Sequence, residues 1–174
     1  MKEKGFALVE LLAVVTIIGT LSTIVLGSLG TAQDQTKDVK IKALMSQMRT
    51  QAELFALDNN GKYNGTRSLG FHDDDRNACR AGGSGTLFDP SMDNSIAELV
   101  DAAIDEAPSS SVRVYCVAGR DGNNGWAFAV PLNNPDTGFT GFCVDSSGGV
   151  KEVSIGFSSF GTPLGARAGT IACP

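Results

Sequence analysis

The sequence predicts an α+β protein in which one long N-terminal α-helix packs on an antiparallel β-sheet. Three observations carry that expectation. No proline interrupts residues 6–57, and the apolar spacing there is helical throughout. Beyond residue 112, short β-branched and aromatic runs alternate with segments rich in turn residues. The four cysteines, Cys79, Cys116, Cys143 and Cys173, all follow the helix, and none stands at a metal-ligand spacing.

The helix begins as something other than a soluble element. Met1-Lys2-Glu3-Lys4-Gly5 is a short charged leader. An apolar run starts at Phe6, and residues 11–33 hold no charged side chain. A helix of about 20 apolar residues crosses a bilayer, so residues 6–30 read as a membrane-spanning helix. Glu10 is the single charge in that run. A carboxylate in lipid costs about 2.5–3.5 kcal/mol, which makes Glu10 a functional-site candidate. An ordinary secretory signal places its cleavage site after the apolar core, next to small residues. Here the small residue, Gly5, precedes the core, so a cut there keeps the apolar helix. Lys2 and Lys4 favour a cytoplasmic N-terminus, although Lys37, Lys40 and Lys42 flank the other end and weaken the charge asymmetry. Gly19, Gly27 and Gly30 each cost about 1 kcal/mol relative to alanine in a helix interior.

From residue 31 to 57 the pattern turns amphipathic. Ile41, Met45, Met48, Ala52 and Phe55 recur at helical spacing, with Leu44 widening the stripe. Asp38 with Lys42, and Arg49 with Glu53, form i,i+4 pairs worth about 0.3–0.5 kcal/mol each. At ~1.5 Å per residue the whole helix is roughly 75–80 Å long. Asp58-Asn59-Asn60-Gly61 is a stop signal. Residues 66–89 are polar and glycine-rich and are expected to form an ordered, irregular loop tied down by Cys79. Ser95–Ala107 reads as a short second helix with Ile96, Leu99, Val100, Ala103 and Ile104 on its apolar face and Pro108 as its stop. Asn94 or Ser95 is the expected N-cap, with Glu98 completing a capping box. Strands are expected at Val112–Val117, Trp126–Leu132, Phe139–Asp145 and Val150–Ile155, as an antiparallel meander with one face on the long helix. Residues 157–174 show no period and read as a surface loop closed by Cys173.

Charge and motifs narrow the function classes. The net charge is −5, and from Asp58 onward 8 Lys/Arg stand against 14 Asp/Glu, which argues against a general basic surface for nucleic acid. His72-Asp73-Asp74-Asp75 reads as a solvated acidic loop. Asp121-Gly122-Asn123-Asn124-Gly125 starts like a calcium loop, but its twelfth position is Leu132 where a glutamate is needed. A lone histidine and the lack of a Gly-x-Ser-x-Gly or phosphate-cradling loop leave nucleophilic catalysis unsupported, so no enzyme, cofactor or small-molecule substrate is expected. Trp126 and Phe128 read as core. An even cysteine count beyond a membrane anchor reads as two disulfides in an oxidising compartment, and the three possible connectivities stay open at this point.

Gly5-Phe6-Ala7-Leu8-Val9-Glu10, with the leader before it and the long helix after it, resembles the N-terminus of the type IV pilin and pseudopilin family, whose precursors carry Gly-Phe-x-Leu-x-Glu. The resemblance implies a pilin fold. It implies that a prepilin peptidase cuts between Gly5 and Phe6 and N-methylates Phe6, and that Glu10 takes part in filament assembly. The isolation of Glu10 in the apolar run points first to pairing with the α-amine of Phe6, its own or a neighbouring subunit's, and second to recognition by the peptidase or membrane machinery. It gives Gly27 and Gly30 a meaning, as a place where the helix loosens inside the filament. It favours disulfides Cys79–Cys116 and Cys143–Cys173, the second being similar to the C-terminal loop of many pilins. The Lys62–Gly65 turn and the stretch Phe142–Gly148 are similar to elements of the family. The implied organisation is a leader at 1–5, a transmembrane and assembly helix at 6–30, an amphipathic helix at 31–57, an αβ-loop with a short helix at 58–111, a sheet at 112–155 and a C-terminal loop at 156–174. The implied partners are other pilin subunits, the peptidase, the assembly platform and membrane lipid before assembly. The implied location is a single-pass cytoplasmic-membrane precursor, then an extracellular pilus. Calcium, which major pseudopilins often hold in a late loop, finds no convincing ligand set here, Asp136 and Asp145 being the nearest candidates. A pseudopilin of a secretion or competence system, or a minor pilin with an adhesive or DNA-binding role, is the alternative. Four cysteines favour a pilus subunit.

Overall fold

A computed structural model describes residues 8–64, 71–73, 76–108, 114–119, 124–133, 140–154 and 173, with the side chains of 24–28, 71–73, 140 and 154 outside that description. Helix α1 runs unbroken from Leu8 to Asp58, 51 residues. It is followed by strand β1 (Phe71–Asp73), helix α2 (Arg76–Ala81), helix α3 (Ala97–Glu106) and strands β2 (Tyr115–Ala118), β3 (Trp126–Pro131), β4 (Thr140–Asp145) and β5 (Val150–Ser154). The strands form one antiparallel sheet in the order β1-β2-β3-β4-β5. The architecture is α+β, a long helix laid against a meander.

The helical spacing of the second half of α1 explains how it packs. Ile41, Met45, Met48, Ala52 and Phe55 are fully buried, in one cluster with Phe128, Val130, Phe142 and Val144 of the sheet and with Val100, Ala103 and Ile104 of α3. Burying one side chain of this size stabilises by about 1.5–3 kcal/mol. The helix ends where Asn60 and Gly61 both enter the left-handed region, φ 56° and 76°, and the Gly61 N–H closes back on the Ala56 carbonyl at 2.7 Å. That is a Schellman ending in which asparagine takes the place glycine usually holds.

Strands β2, β3 and β4 are buried on both faces. Side chains of a strand alternate between its faces. Cys116, Ala118, Trp126, Phe128, Val130, Phe142 and Val144 face the helices, whereas Tyr115, Val117, Ala127, Ala129, Cys143 and Val153 form a second cluster with Cys173. The expectation of one packed face is therefore half of what is found.

Three further expectations change. The segment expected as irregular loop between Thr66 and Asp89 contributes strand β1 and helix α2, and the sheet gains a fifth strand from it. β1 is only three residues long and pairs with β2, so no local period announces it. Helix α3 starts after Ile96, not after Asn94 or Ser95, and makes no side-chain cap bond. Asn94 is left-handed, φ 57°, and its amide donates to Asp58 at 2.6 Å, so its side chain serves the end of α1 instead of the start of α3. The local pairs expected on α1 give way to long-range ones. Lys42 pairs with Glu152 at 2.6 Å, Asp38 accepts from Asn133, and Glu53 accepts the Tyr63 hydroxyl at 2.9 Å.

Candidate functional site

Gly5 and Phe6, expected at the cut, lie outside the described residues. Glu10 stands exposed in the first turn of α1. Around it the apolar run presents side chains on every side. Leu8 and Val9 are 79% and 74% exposed, and Leu11, Leu12, Val14, Val15, Ile17, Ile18 and Leu21 are all exposed. Fully apolar circumference is the mark of a helix whose surroundings are not water. The hydroxyls within the run agree with that. Thr16, Thr20, Ser22 and Thr23 each donate to a carbonyl three or four residues earlier, at 2.8–3.0 Å. Polar groups that close on their own helix need no external partner in an apolar medium. Among the described residues no helix is long and apolar enough to cross a membrane; the run expected to do so includes 24–28, whose side chains lie outside the described set. The backbone passes through Gly27 and Gly30 as regular helix in the single chain.

A second surface continues along the same helix. Thr36, Val39, Ala43, Ser46, Thr50, Leu54 and Leu57 are all exposed. At 3.6 residues per turn they lie on the side opposite the buried Ile41–Phe55 stripe. The face carries no charge. Of the charged residues of this half, Lys40, Lys42, Arg49 and Glu53 stand on its flanks, and Asp34, Lys37 and Asp38 lie toward the core side. Val39 and Leu57 are 68% and 78% exposed.

Several polar side chains fix the sheet to this helix. Asp38, buried on α1, accepts from the Asn133 backbone N–H at 2.6 Å and from its side-chain amide at 3.1 Å, and that amide also donates to the Glu106 carbonyl at 2.9 Å. One asparagine thus ties α1, the end of α3 and the exit of β3. Lys40 reaches Glu106, and the Lys42 ammonium sits 5.6 Å from the centre of the Phe142 ring while pairing with Glu152. The turn after α1 is locked by Tyr63, whose ring meets Trp126 edge-on at 6.4 Å. Burial, then the hydrogen bond to Glu53 and its charge, push the Tyr63 hydroxyl up to about 12. Asn124 accepts from the Tyr63 N–H and donates to the Gly61 carbonyl.

The structure links Cys79 to Cys116 and Cys143 to Cys173, each with Cα atoms 5.8 Å apart. Strand alternation puts the first on the helix side of the sheet and the second on the outer side. Two aspartates organise neighbouring turns. Asp89 receives the N–H and hydroxyl of Ser91 on Oδ1 and the Gly85 N–H on Oδ2. Asp145, 2% exposed, receives the N–H and hydroxyl of Ser147 and the Gly149 N–H on Oδ1, and the Cys173 N–H on Oδ2. Burial pushes both carboxyls up, but the donors outweigh it and hold both below the usual carboxylate value. Among the described residues no three ligand-type side chains cluster for a metal. Asp136 and the whole acidic run at 72–75 lie outside the described side chains.

The sequence reading missed Asp38, Asn133 and Asp145 as organising residues. Only Asp145 carries a local signal, since Asp-x-Ser followed by glycines marks an Asx-type turn. Residues 1–26 match the family model described as the prokaryotic N-terminal methylation motif. No curated protein and no solved structure matches the chain.

Proposed function

We propose that this chain, which carries the N-terminal methylation motif characteristic of type IV pilins and pseudopilins, is a structural subunit that polymerises through α1 into a helical filament of the type IV pilus class. It is held in the cytoplasmic membrane as a precursor. A prepilin peptidase cuts it between Gly5 and Phe6 and methylates the amine of Phe6. The assembly machinery then moves the helix from lipid into a bundle of identical helices. Glu10 meets the cationic N-terminus of a neighbouring Phe6. Pairing offsets the cost of a carboxylate in an apolar interior and sets the axial register between subunits.

The observation that carries the reading is the single continuous helix with two exposed surfaces whose one charge is Glu10. Its first half is apolar on all sides, and its second half keeps a charge-free face opposite the core stripe. Other copies of the same helix can cover both in one continuous contact, and burial at about 25 cal/mol per Å² drives that assembly. Two disulfides and a C-terminal residue bound to the sheet support a subunit built for use outside the cytoplasm.

Mass spectrometry of filaments sheared from cells tests the reading. The expected subunit begins at N-methylated Phe6 and holds both disulfides. A chain found only with Met1 intact, or never found in filaments, overturns it.

A further inference from the structure

The two turn aspartates differ in one respect. Both use Oδ1 in the same local way, receiving the N–H and hydroxyl of the serine two residues on. Asp89 spends its Oδ2 locally as well, on Gly85 four residues back. Asp145 spends its Oδ2 on the backbone N–H of Cys173, 28 positions away, at 2.7 Å. The bond is buried, and it joins the end of β4 to the half-cystine that seals the outer face of the sheet. Room for it depends on Gly149, where a Cβ would overlap the Asp145 carboxylate. Gly148 beside it has φ 91°, which lets the turn close.

The chain at Cys173 is thus held twice, by the sulfur bridge to Cys143 and by a charge-assisted hydrogen bond to Asp145. Such bonds are about twice as strong as neutral ones. Cys143 is two residues before Asp145 on the same strand, so a chain seated on the carboxylate already brings its sulfur to the right partner. Among the described residues no cation forms a salt bridge with Asp145, so backbone donors and one hydroxyl hold its charge in place.

We propose that Asp145 is a non-covalent clasp that seats Cys173 on the outer face of the sheet independently of the disulfide. It acts as a positioning residue for the Cys143–Cys173 bridge. It selects that pairing from the alternatives, and it keeps the backbone at 173 docked when the bridge is missing.

Amide hydrogen exchange on the full chain in detergent micelles tests this directly. A proteolytic fragment that contains residue 173 reads its amide. In the Cys143→Ser/Cys173→Ser protein the amide at 173 is expected to exchange at least tenfold more slowly than in the same protein with Asp145→Asn added. Asparagine keeps an acceptor for Ser147 and Gly149 but turns an N–H₂ toward the N–H of 173, so it removes the clasp selectively. Equal exchange in the two proteins overturns the proposal. If the protein without the bridge fails to fold, Asp145→Asn with both disulfides intact gives the same information. There the amide at 173 is expected to exchange at least tenfold faster than in the parent chain while the β3 amides keep their protection, and unchanged protection at 173 overturns the proposal.

Discussion

The backbone N–H of Asn133 donates to Oδ1 of Asp38 at 2.6 Å, across 95 positions of sequence. This bond joins α1 to the exit of β3, and the same asparagine caps the last carbonyl of α3. Asp38 lies one turn before Ile41, where the helix enters the core.

Replacing Asp38 by alanine leaves the half-buried backbone N–H of Asn133 without its acceptor, while the side-chain amide keeps the Glu106 carbonyl. A buried donor so stranded costs about 1–3 kcal/mol. Thermal unfolding of Asp38→Ala in micelles is expected to shift down accordingly, with the disulfides intact. Asp38→Asn, which keeps one acceptor oxygen, is expected to lose less. An unchanged midpoint in Asp38→Ala removes Asn133 as a junction.

Glu10 tests the register. In the proposed filament Glu10→Lys sets a cation against the amine of a neighbouring Phe6, and it is expected to abolish filaments while leaving precursor levels and folding of the sheet domain unchanged. Counting sheared filaments by electron microscopy reads the outcome. A Glu10→Lys strain with a normal filament number would falsify the assigned role.

The uncharged face of α1 makes a separate claim, since Ser46 and Thr50 are exposed and outside the core. Ser46→Glu and Thr50→Glu are expected to leave stability within about 0.5 kcal/mol, the usual range for surface changes. Filament assembly is expected to fall sharply, because each charge enters a helix-to-helix contact. Full assembly by Ser46→Glu shows that this face stays in solvent in the filament.

Tyr63 predicts the alkaline limit of the fold. Burial and Glu53 raise its hydroxyl from 10.0 to about 12 in the folded protein. A group that holds its proton more tightly when folded contributes stability that is complete below its unfolded value and is lost as pH rises toward its folded one. Denaturant midpoints are therefore expected to decline between about pH 10 and 12. Tyr63→Phe, which has no proton to lose, is expected to flatten this decline. An identical slope in both proteins means that other groups set the alkaline limit.

Periodicity made much of this protein readable before any coordinates. The 4-3-4-3 spacing from Ile41 to Phe55 identified the buried stripe, and each of its residues is fully buried. Alternation placed the last four strands to within a few residues of β2–β5. Strand β1 and helix α2 escaped because three- and six-residue elements are too short to show a period. The cap of α3 escaped because Asn94, a good local N-cap, is engaged by Asp58 at the end of α1. That is a long-range bond outcompeting a local preference.

Whatever depends on neighbours along the chain was determined by the sequence alone: the apolar helix with Glu10 inside it, the amphipathic continuation and the α+β class. Each rests on spacing that any stretch of chain displays by itself. Whatever depends on residues far apart was decided only by the tertiary structure. Burial of β2, β3 and β4 on both faces, the Asp38–Asn133 junction and the Asp145–Cys173 bond all need distant segments brought together. The two disulfides on opposite faces belong with them, because four cysteines on a line admit three pairings equally and only strand register separates the faces.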